Sequence, residues 1–478
     1  MSGKRTFGQW LFWPGVVGGT AVFLLFTLFT PALNALILAW STTGDRVGED
    51  YGYTVASAGD VNGDTYPDLI VGAPHFDNGI YRGGAAFVFY GSPGGLSAQP
   101  DWFVGSDQNG ARFGFAAASA GDVNHDGCDD VLIGAYRTND GQPEEGRAYL
   151  YLGSPQGLSA EPAWTYESNQ KEAQLAYSVA GAGDVNGDGF DDVLVGVRWY
   201  DDTLINEGAA FLFFGSADGL SATPDWTAVG GQSGAAFGTA VHLVPDTNGD
   251  GYDDILIGAP HLAYTLPDEG GAFLFLGGEN PAAAAAWQVS SGQTGSQFGA
   301  AVAAGDFDQD GRADLLIGAP QYSGEEEREG GVFLYLGAET SMSGTAVWST
   351  SSGQTGSLYG TAVAAGDING DDLTDLIVGA PQYTYDQSLE GRVFVYQGQP
   401  SEVSPYANWT AEGDKAETAF GWSVALAGDV NQDGFGDLAV GAPQYRSSHD
   451  LVGRAYVYWG AEKISDDTLV FLPFVGRE

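Results

Sequence analysis

The sequence is poor in cysteine and in positive charge, and each shortage excludes a class of protein. One cysteine in 478 residues cannot form an internal disulfide framework. Only 17 residues are Lys or Arg against 62 Asp or Glu, which gives a formal charge of −45 and a pI near 4.1. Such a chain repels phosphate, so a nucleic-acid partner is excluded. A hydrophobic fraction of 44% with 13% aromatics excludes a disordered acidic chain and predicts a folded core.

Charged residues are also missing from one long stretch near the N-terminus. Lys4 and Arg5 precede an apolar run from Trp10 to Ala39. This is the arrangement of an export signal, and the run is long enough to span a bilayer. We predict that residues 1–39 form a hydrophobic helix acting as a cleaved signal peptide or as a signal anchor, with a buried core helix as the alternative. Both export interpretations place residues 40–478 outside the cytoplasm, either secreted or anchored at the cell surface.

The remainder of the chain is an internal repeat of about 61 residues. A tryptophan leads each unit, and an aromatic-Gly pair follows eleven residues later in six of the seven units. The third unit has Leu175-Ala176 instead. The predicted repeats lie near residues 40–101, 102–163, 164–225, 226–286, 287–347, 348–408 and 409–478. A fixed period of this length is typical of propellers and solenoids.

Each repeat contains four short stretches that predict β-strands. They are rich in Val, Ile, Phe and Tyr and are bounded by Gly, Pro and Asn-Gly turns. The small residues of segment 299–305 suit an innermost strand, where neighbouring sheets converge on an axis. We therefore predict an all-β fold, namely a seven-bladed β-propeller of four-stranded blades that is preceded by the N-terminal hydrophobic helix. An open solenoid of sheets is the alternative.

Two segments compete for the outer strand of the seventh blade. Counting eleven residues from Gly460 gives Phe471, within segment 469–474, but Trp40 also has the phase of an outer strand. Seven units need seven outer strands, so one of the eight candidates is surplus. We favour the Trp40 segment, which makes the C-terminal segment an extension.

Seven acidic segments, one per unit, share one pattern over nine residues. Positions 1, 5 and 9 are Asp, and position 3 is Asn or Asp. Oxygen donors at this spacing around a tight turn, with the carbonyl of position 7 and both oxygens of position 9, can surround one cation. Ligands that are all oxygen favour Ca²⁺ over zinc or copper, and a flexible site of this size favours it over Mg²⁺. We predict up to seven Ca²⁺ ions, with these ligand positions: Asp60, Asn62, Asp64, Tyr66, Asp68; Asp122, Asn124, Asp126, Cys128, Asp130; Asp184, Asn186, Asp188, Phe190, Asp192; Asp246, Asn248, Asp250, Tyr252, Asp254; Asp306, Asp308, Asp310, Arg312, Asp314; Asp367, Asn369, Asp371, Leu373, Asp375; Asp429, Asn431, Asp433, Phe435, Asp437.

The alternative interpretation is that these segments are hairpin turns with surface acids, but seven copies in phase favour calcium. An EF-hand has a similar start, yet it needs a Glu at position 12 between helices, and position 12 here is apolar. Thr65 replaces the usual Gly at position 6 of the first loop. Because a β-branched residue resists positive φ, we expect the first site to be the weakest. Asp372 replaces the same Gly in the sixth loop, where we expect a smaller effect.

The chain resembles the FG-GAP repeat family, best known from the N-terminal propeller of integrin α subunits. The aromatic-Gly pair and the nine-residue loop carry the resemblance, together with a Gly-Ala-Pro that ends at Pro74, Pro260, Pro320, Pro381 and Pro443. The resemblance covers residues 40–478. It implies a seven-bladed propeller that holds calcium in the loops of one face and binds a ligand on the opposite face.

The loops between the second and third strands lie on that opposite face and vary most between units. Loops on a rigid scaffold commonly carry function, and Tyr and Trp are favoured at interfaces. These rings serve either to bind a ligand or to cover the rim of the core. The candidate ligand-binding residues are Tyr136, Trp199, Tyr200, Tyr264, Tyr322, Tyr383 and Tyr445.

The sequence contains no Gly-x-Ser-x-Gly, His-Glu-x-x-His or Cys-His pair, so we do not predict an enzyme. We predict a noncatalytic, calcium-binding recognition or adhesion module, a monomeric propeller that binds an extracellular protein or glycan. The alternatives are a purely structural envelope protein and a hydrolase that uses the propeller pocket.

Overall fold

Short apolar runs separated by Gly-rich turns form strands throughout the computed structural model of the protein. The structure describes residues 36–462 except 340–341, 400–401 and 449. Within those residues there are seven antiparallel four-stranded sheets and no helix, so none that could cross a membrane. The predicted seven-bladed propeller is confirmed. The N-terminal helix, with its signal or anchor role, was predicted for residues 1–39. Residues 1–35 lie outside the described residues, whereas residues 37–39 belong to the strand Ile37–Thr43.

The four strands of each blade follow one another from the axis outward. The innermost strands are Thr54–Gly59, Ala116–Gly121, Leu175–Gly183, Ala240–Val244, Ala301–Gly305, Ala362–Gly366 and Ser423–Gly428. The second strands are Asp68–Ala73, Asp130–Ala135, Asp192–Val197, Asp254–Ala259, Asp314–Ala319, Asp375–Ala380 and Asp437–Ala442. The third strands are Ala85–Phe89, Arg147–Tyr151, Ala209–Phe213, Gly271–Phe275, Gly331–Tyr335, Arg392–Tyr396 and Arg454–Trp459. The outer strands are Trp102–Gly105, Trp164–Glu167, Trp226–Val229, Trp287–Ser290, Trp348–Ser351, Trp409–Glu412 and, for the seventh blade, Ile37–Thr43.

Two small hairpins extend the last two blades. Gly398–Gln399 pairs with Glu402–Val403, and Arg446–Ser447 pairs with Asp450–Leu451.

The N-terminal strand closes the ring. Ile37–Thr43 pairs antiparallel with Arg454–Trp459 as the outer strand of the seventh blade, which confirms the assignment of the Trp40 segment. The strand begins three residues before Trp40, and segment 469–474 lies outside the described residues. Since this blade is built from both ends of the propeller sequence, the two ends hold each other in place.

The core lies between the blades. Every residue of each second strand is buried, because neighbouring blades cover both of its faces. A contact that recurs at each junction depends on glycine: a Cβ at Gly72 would overlap the carbonyl oxygen of Gly114 in the next blade. The aromatic-Gly pairs lie at the same junctions, as in the bridge between Gly84 and Phe113. Leu175 makes the equivalent bridge to Gly146, so the third unit keeps the same contact between blades although it lacks the aromatic-Gly pair.

The tryptophans also join neighbouring blades. The indole N–H of Trp40 donates to the carbonyl of Ser97 at 2.9 Å, and that of Trp102 donates to Ser159 at 2.9 Å. Each indole therefore fastens the outer strand of one blade to the next blade while its ring covers the core.

The inner strands place alanine opposite the middle of the second strand in six blades, whereas the fourth blade places His242 there. Burial lowers the pKa of His242 from 6.5 to about 4. The unfolded chain therefore binds a proton between pH 6.5 and pH 4 that the folded chain does not, and stability is lost as the pH falls through this range.

The wild type should therefore lose more stability in acid than a variant without this histidine. Between pH 7 and pH 5, we expect the free energy of unfolding to fall by about 1–2 kcal/mol more in the wild type than in His242→Ala, as measured by urea unfolding. Parallel pH profiles for the two proteins would contradict this.

Candidate metal sites and ligand face

Each acidic segment forms the hairpin between the innermost and second strands of a blade. Positions 4 and 6 have positive φ in all seven loops, between 54° and 95°. These two left-handed residues turn the chain back on itself, and in all seven loops the N–H of position 6 donates to the carboxylate of position 1. Thr65 occupies position 6 of the first loop with a φ of 77°, and Asp372 occupies it in the sixth with a φ of 63°.

Thr65 is consequently strained, because a β-branched residue pays about 1–2 kcal/mol for a left-handed backbone. We expect Thr65→Gly to stabilise the protein by about 1 kcal/mol, after allowance for the entropy of glycine, and to strengthen calcium binding at the first loop. Urea unfolding and calcium titration would measure the two effects. Asp372→Gly is the matched control and should give a smaller gain, and a loss of stability in Thr65→Gly would contradict the argument.

Oxygens from positions 1 and 3 converge in most loops. In the first loop the backbone N–H of Asp64 donates to Asp60 Oδ1 at 3.0 Å and to Asn62 Oδ1 at 2.9 Å. The same sharing of one N–H occurs in the second, third, sixth and seventh loops. Two side-chain oxygens that share one hydrogen lie close together, which is the arrangement that a cation requires.

The aspartate at position 9 is the buried part of each loop. All seven are fully enclosed, and in the first loop Asp68 accepts N–H groups from Val61 at 3.0 Å and Gly91 at 2.9 Å. Despite such hydrogen bonds, burial raises the pKa of these carboxyl groups to about 7, and to about 6 in Asp254. A neighbouring divalent cation would favour the ionised form and offset the cost of burying it.

The fifth loop brings three carboxylates together. Asp306, Asp308 and Asp314 each place an oxygen within 4.8 Å of the others. Asp306 Oδ1 is buried without a hydrogen-bond partner, so the loop holds an unsatisfied acceptor beside two further acids. Arg312 at position 7 donates to Asp310 at 2.8 Å, which offsets part of this excess negative charge.

In the fifth loop, positions 1, 3 and 9 thus fit an oxygen-binding cation, and among the described residues theirs is the one group of three acidic ligands that lie so close together. The assignment of ligands, including the position 7 carbonyls of Tyr66, Cys128, Phe190, Tyr252, Arg312, Leu373 and Phe435, stays a prediction. At position 7, the N–H donates to the position 5 carboxylate in all seven loops.

Position 8 has a role that the sequence analysis missed. The carboxylate of Asp129 accepts the N–H of Asp60 in the preceding blade at 2.7 Å. Asp191 and Asp253 do the same for the next two loops at 2.8 and 3.0 Å. The pattern Asp-Asp at positions 8 and 9 could have indicated this link, because it occurs in the second to fourth loops only.

On the opposite face, the predicted ligand-binding aromatics divide into three groups. Tyr200, Tyr322 and Tyr383 pack edge-on against a phenylalanine of the adjacent third strand, with ring centroids 5.1 to 5.6 Å apart. Tyr445 is 6% exposed and lies beneath Lys415 and Arg454. These four rings cover the core, which was the alternative interpretation. Tyr264 is 59% exposed.

Tyr136 and Trp199 belong instead to an aromatic arc around the axis, defined here as Tyr53, Phe115, Tyr136, Tyr177, Trp199 and Trp422. Phe115 contacts Tyr53, Tyr136 and Tyr177 with centroids 4.4 to 4.9 Å apart, and Tyr53 contacts Trp422 at 5.3 Å. Phe115, Tyr177 and Trp422 of the arc line a cavity of about 320 Å³ at the axis, which we call the channel mouth.

Blades 7, 1, 2 and 3 supply an aromatic residue directly after the aromatic-Gly position, namely Trp422, Tyr53, Phe115 and Tyr177. The other three blades have Thr or Ala there. This difference between repeats was visible in the sequence and was the missed signal for the mouth.

Histidines near the mouth have partners. His75 Nδ1 lies 2.7 Å from Asp50, and the His261 ring stacks on Trp199 with centroids 6.2 Å apart. Arg198 covers both Tyr177 and Trp199 at 4.5 Å from each centroid. Arg198, one of the few cations of this chain, therefore stacks on Tyr177, an aromatic residue that lines the channel mouth.

A family model described as FG-GAP repeat matches residues 51–89, 113–151, 175–213, 237–272, 298–335, 359–396 and 420–458. The matched segments make up more than half of the chain, and each runs from the aromatic-Gly position into or to the end of the third strand. The chain belongs to the FG-GAP repeat family.

Curated relatives of this FG-GAP chain include integrin alpha-4 of Xenopus laevis, which is 36% identical over 213 residues, or 44% of this chain and 19% of that protein. Integrin alpha-PS2 of Drosophila melanogaster is 35% identical over 176 residues, or 35% of this chain and 12% of that protein. Human phosphatidylinositol-glycan-specific phospholipase D is 29% identical over 396 residues, or 74% of this chain and 46% of that protein. The FG-GAP chain thus spans less than a fifth of these integrins and less than half of the phospholipase.

Proposed function

We propose that this chain is a noncatalytic recognition module outside the cell, secreted or anchored at the cell surface, which binds calcium in its seven loops and a protein ligand on the opposite face. The observation that carries the proposal is the division of the propeller into two chemically different faces. One face holds seven acidic loops, and the other holds the channel mouth with its aromatic arc. Integrin α relatives support a role in adhesion, although they match only part of the chain.

Calcium and ligand binding are linked in this proposal through the blades. Each calcium loop follows an innermost strand, whose opposite end borders the channel mouth. A cation that fixes the hairpin therefore also fixes the start of the innermost strand, where Tyr53, Phe115, Tyr177 and Trp422 stand. Ligand binding should consequently weaken when calcium is removed.

The test is a pull-down of extracellular proteins with immobilised residues 36–478, first in 2 mM calcium and then in chelator, with elution followed by mass spectrometry. A partner that is retained in calcium, released by chelator and lost from the double variant Trp199→Ala/Trp422→Ala supports the proposal. The matched control is Tyr406→Ala, since Tyr406 is 80% exposed and belongs to the loop before the outer strand of the sixth blade. Retention of the partner by the double variant would contradict it.

A further inference from the structure

Six asparagines of this chain are followed by glycine, and one of these pairs differs from the rest in its hydrogen bonds. The pair is Asn62-Gly63, in the first acidic loop. Among the described residues the N–H of Gly63 has no acceptor, and Gly63 is exposed to solvent. In the other five pairs the glycine N–H donates to a carboxylate or carbonyl oxygen at 2.6 to 3.0 Å. Those five are Asn78-Gly79, Asn109-Gly110, Asn186-Gly187, Asn248-Gly249 and Asn369-Gly370.

The side-chain amide of Asn62 is held at its oxygen only. Its Oδ1 accepts the N–H of Asp64 at 2.9 Å, a donor that would stabilise negative charge developing on this oxygen. Within the part of the chain that the structure describes, its Nδ2 donates no hydrogen bond. In the third and fourth loops, by contrast, the Nδ2 atoms of Asn186 and Asn248 donate to the position 5 carboxylate at 2.9 Å. The first loop therefore combines a polarised amide carbon with a free amide nitrogen and a free backbone N–H.

These features are what deamidation through a cyclic imide requires. The nitrogen of Gly63 loses its proton and forms a bond to Asn62 Cγ, while the bond from Cγ to Nδ2 breaks and ammonia leaves with that proton. Water then opens the ring. Cleavage between Cγ and the glycine nitrogen gives aspartate, and cleavage between the backbone carbonyl carbon of Asn62 and that nitrogen gives isoaspartate. A glycine nitrogen whose N–H is already hydrogen-bonded must lose that bond before it can attack.

We propose that Asn62 is the deamidation site of the folded protein, converted by this route ahead of the other five Asn-Gly pairs. In the pairs at Asn186, Asn248 and Asn369, the position 1 aspartate of the same loop holds the glycine N–H at 2.6 to 2.7 Å and protects the asparagine. The inference goes beyond the proposed function and needs no bound ligand.

The modification would change one predicted calcium ligand. Conversion to aspartate adds a negative charge and gives position 3 of the first loop the residue type that Asp308 supplies in the fifth. Conversion to isoaspartate instead lengthens the backbone of the turn by one carbon, which alters the spacing between positions 1 and 5. The first loop would therefore change with the age of the protein while the other six loops stay as synthesised.

The experiment incubates the full chain in mildly alkaline buffer, with 2 mM calcium and in parallel without added metal. Samples taken at intervals are digested with pepsin in acid, which halts imide formation, and each Asn-Gly peptide is followed by mass spectrometry. We expect conversion at Asn62 to be about tenfold faster than at Asn186 or Asn248 in both solutions, because those two sites must first break a hydrogen bond to a carboxylate. Conversion at any of the other five sites as fast as at Asn62 would overturn the inference.

Concentrated urea is the control, because the unfolded chain lacks these hydrogen bonds and all six asparagines have the same following residue. The six rates should converge there. An unchanged advantage of Asn62 in urea would show that local sequence sets the order and would overturn the structural argument. No conversion at Asn62 in the folded chain, over a period that converts all six sites in urea, would also overturn it. The matched variant is Asn62→Gln, whose longer side chain cannot form the five-membered ring. It should remove the acidic species that appears first on anion exchange and leave the other five rates unchanged.

Discussion

Chelation of calcium should lower the melting temperature of this protein by more than about 10 °C. The physical reason is the concentration of negative charge in the loops, where at least three carboxylates lie in each nine-residue turn. Unit charges about 4 Å apart repel by about 4 kcal/mol at an effective dielectric near 20. In the fifth loop, three such oxygens lie within 4.8 Å of one another. Without a cation the hairpins should loosen, and the blades that they join should loosen with them.

The size of the effect follows from mass action. If each loop binds calcium with about 0.2 mM affinity, which is within the range of extracellular modules, then 2 mM calcium stabilises the fold by about 1.4 kcal/mol per site. Seven sites would contribute on the order of 10 kcal/mol. Calorimetry with calcium, with chelator, and with chelator plus excess magnesium would measure the effect and its selectivity. A melting temperature unchanged by millimolar chelator would contradict both the calcium assignment and the proposed coupling of the two faces.

A single site can be separated from the rest. Asp314→Asn keeps the shape of the buried position 9 side chain in the fifth loop but removes its charge. The wild type should lose more stability than this variant when calcium is removed, because the variant starts with one site fewer. Asp218→Asn, in an exposed turn between the third and outer strands, is the control and should behave as the wild type does.

The features predicted from the sequence are those that repeat in phase. Seven tryptophans and seven acidic loops impose one period, and a period fixes the number of blades because each unit can bury its strands only against another unit. The Leu175-Ala176 departure did not matter, since Leu175 makes the same bridge as the phenylalanines. Placement of Trp40 in the seventh blade followed from the same phase.

The features that the sequence analysis missed are those that depend on contacts between units. Tyr200, Tyr322 and Tyr383 look exposed in a variable loop, but the loop folds back and lays each ring on its own third strand. The residues at the channel mouth are adjacent only after the ring closes, because Trp422 and Tyr53 come from opposite ends of the repeat array. No local pattern brings them together.

A row of buried glutamates was missed for a similar reason. Glu145, Glu207, Glu269, Glu329 and Glu390 each precede the glycine that bridges to the next blade, and all are 0–1% exposed. In a chain with so many acidic residues, the glutamates of five Glu-Gly pairs are expected to lie on the surface. Their spacing of 60 to 62 residues, equal to that of the acidic loops, was the available signal.

Glu207→Ala should destabilise the protein by about 3–5 kcal/mol. Its Oε1 accepts the N–H groups of Asp202, Thr203 and Leu204 at 2.8 to 3.1 Å, and its Oε2 accepts that of Gly231 at 3.1 Å. Burial acts to raise the pKa of Glu207, but these four donors outweigh it and the pKa is lowered. Alanine would leave four backbone donors without their acceptor, each worth about 1–3 kcal/mol where water does not replace it.

The same side chain gives this prediction a pH signature and a functional consequence. Because the pKa is lower in the folded state, the stabilisation by Glu207 is present above pH 4.5 and is lost as the pH falls through the folded-state pKa. The difference between the wild type and Glu207→Ala in urea unfolding should therefore shrink in acid. Glu325→Ala, at an exposed glutamate, should stay within about 0.5 kcal/mol of the wild type. Since the loop that Glu207 holds follows Arg198 and Trp199, Glu207→Ala should also weaken ligand capture at the channel mouth at neutral pH, and a variant of wild-type stability and wild-type capture would show that this carboxylate does not organise the loop.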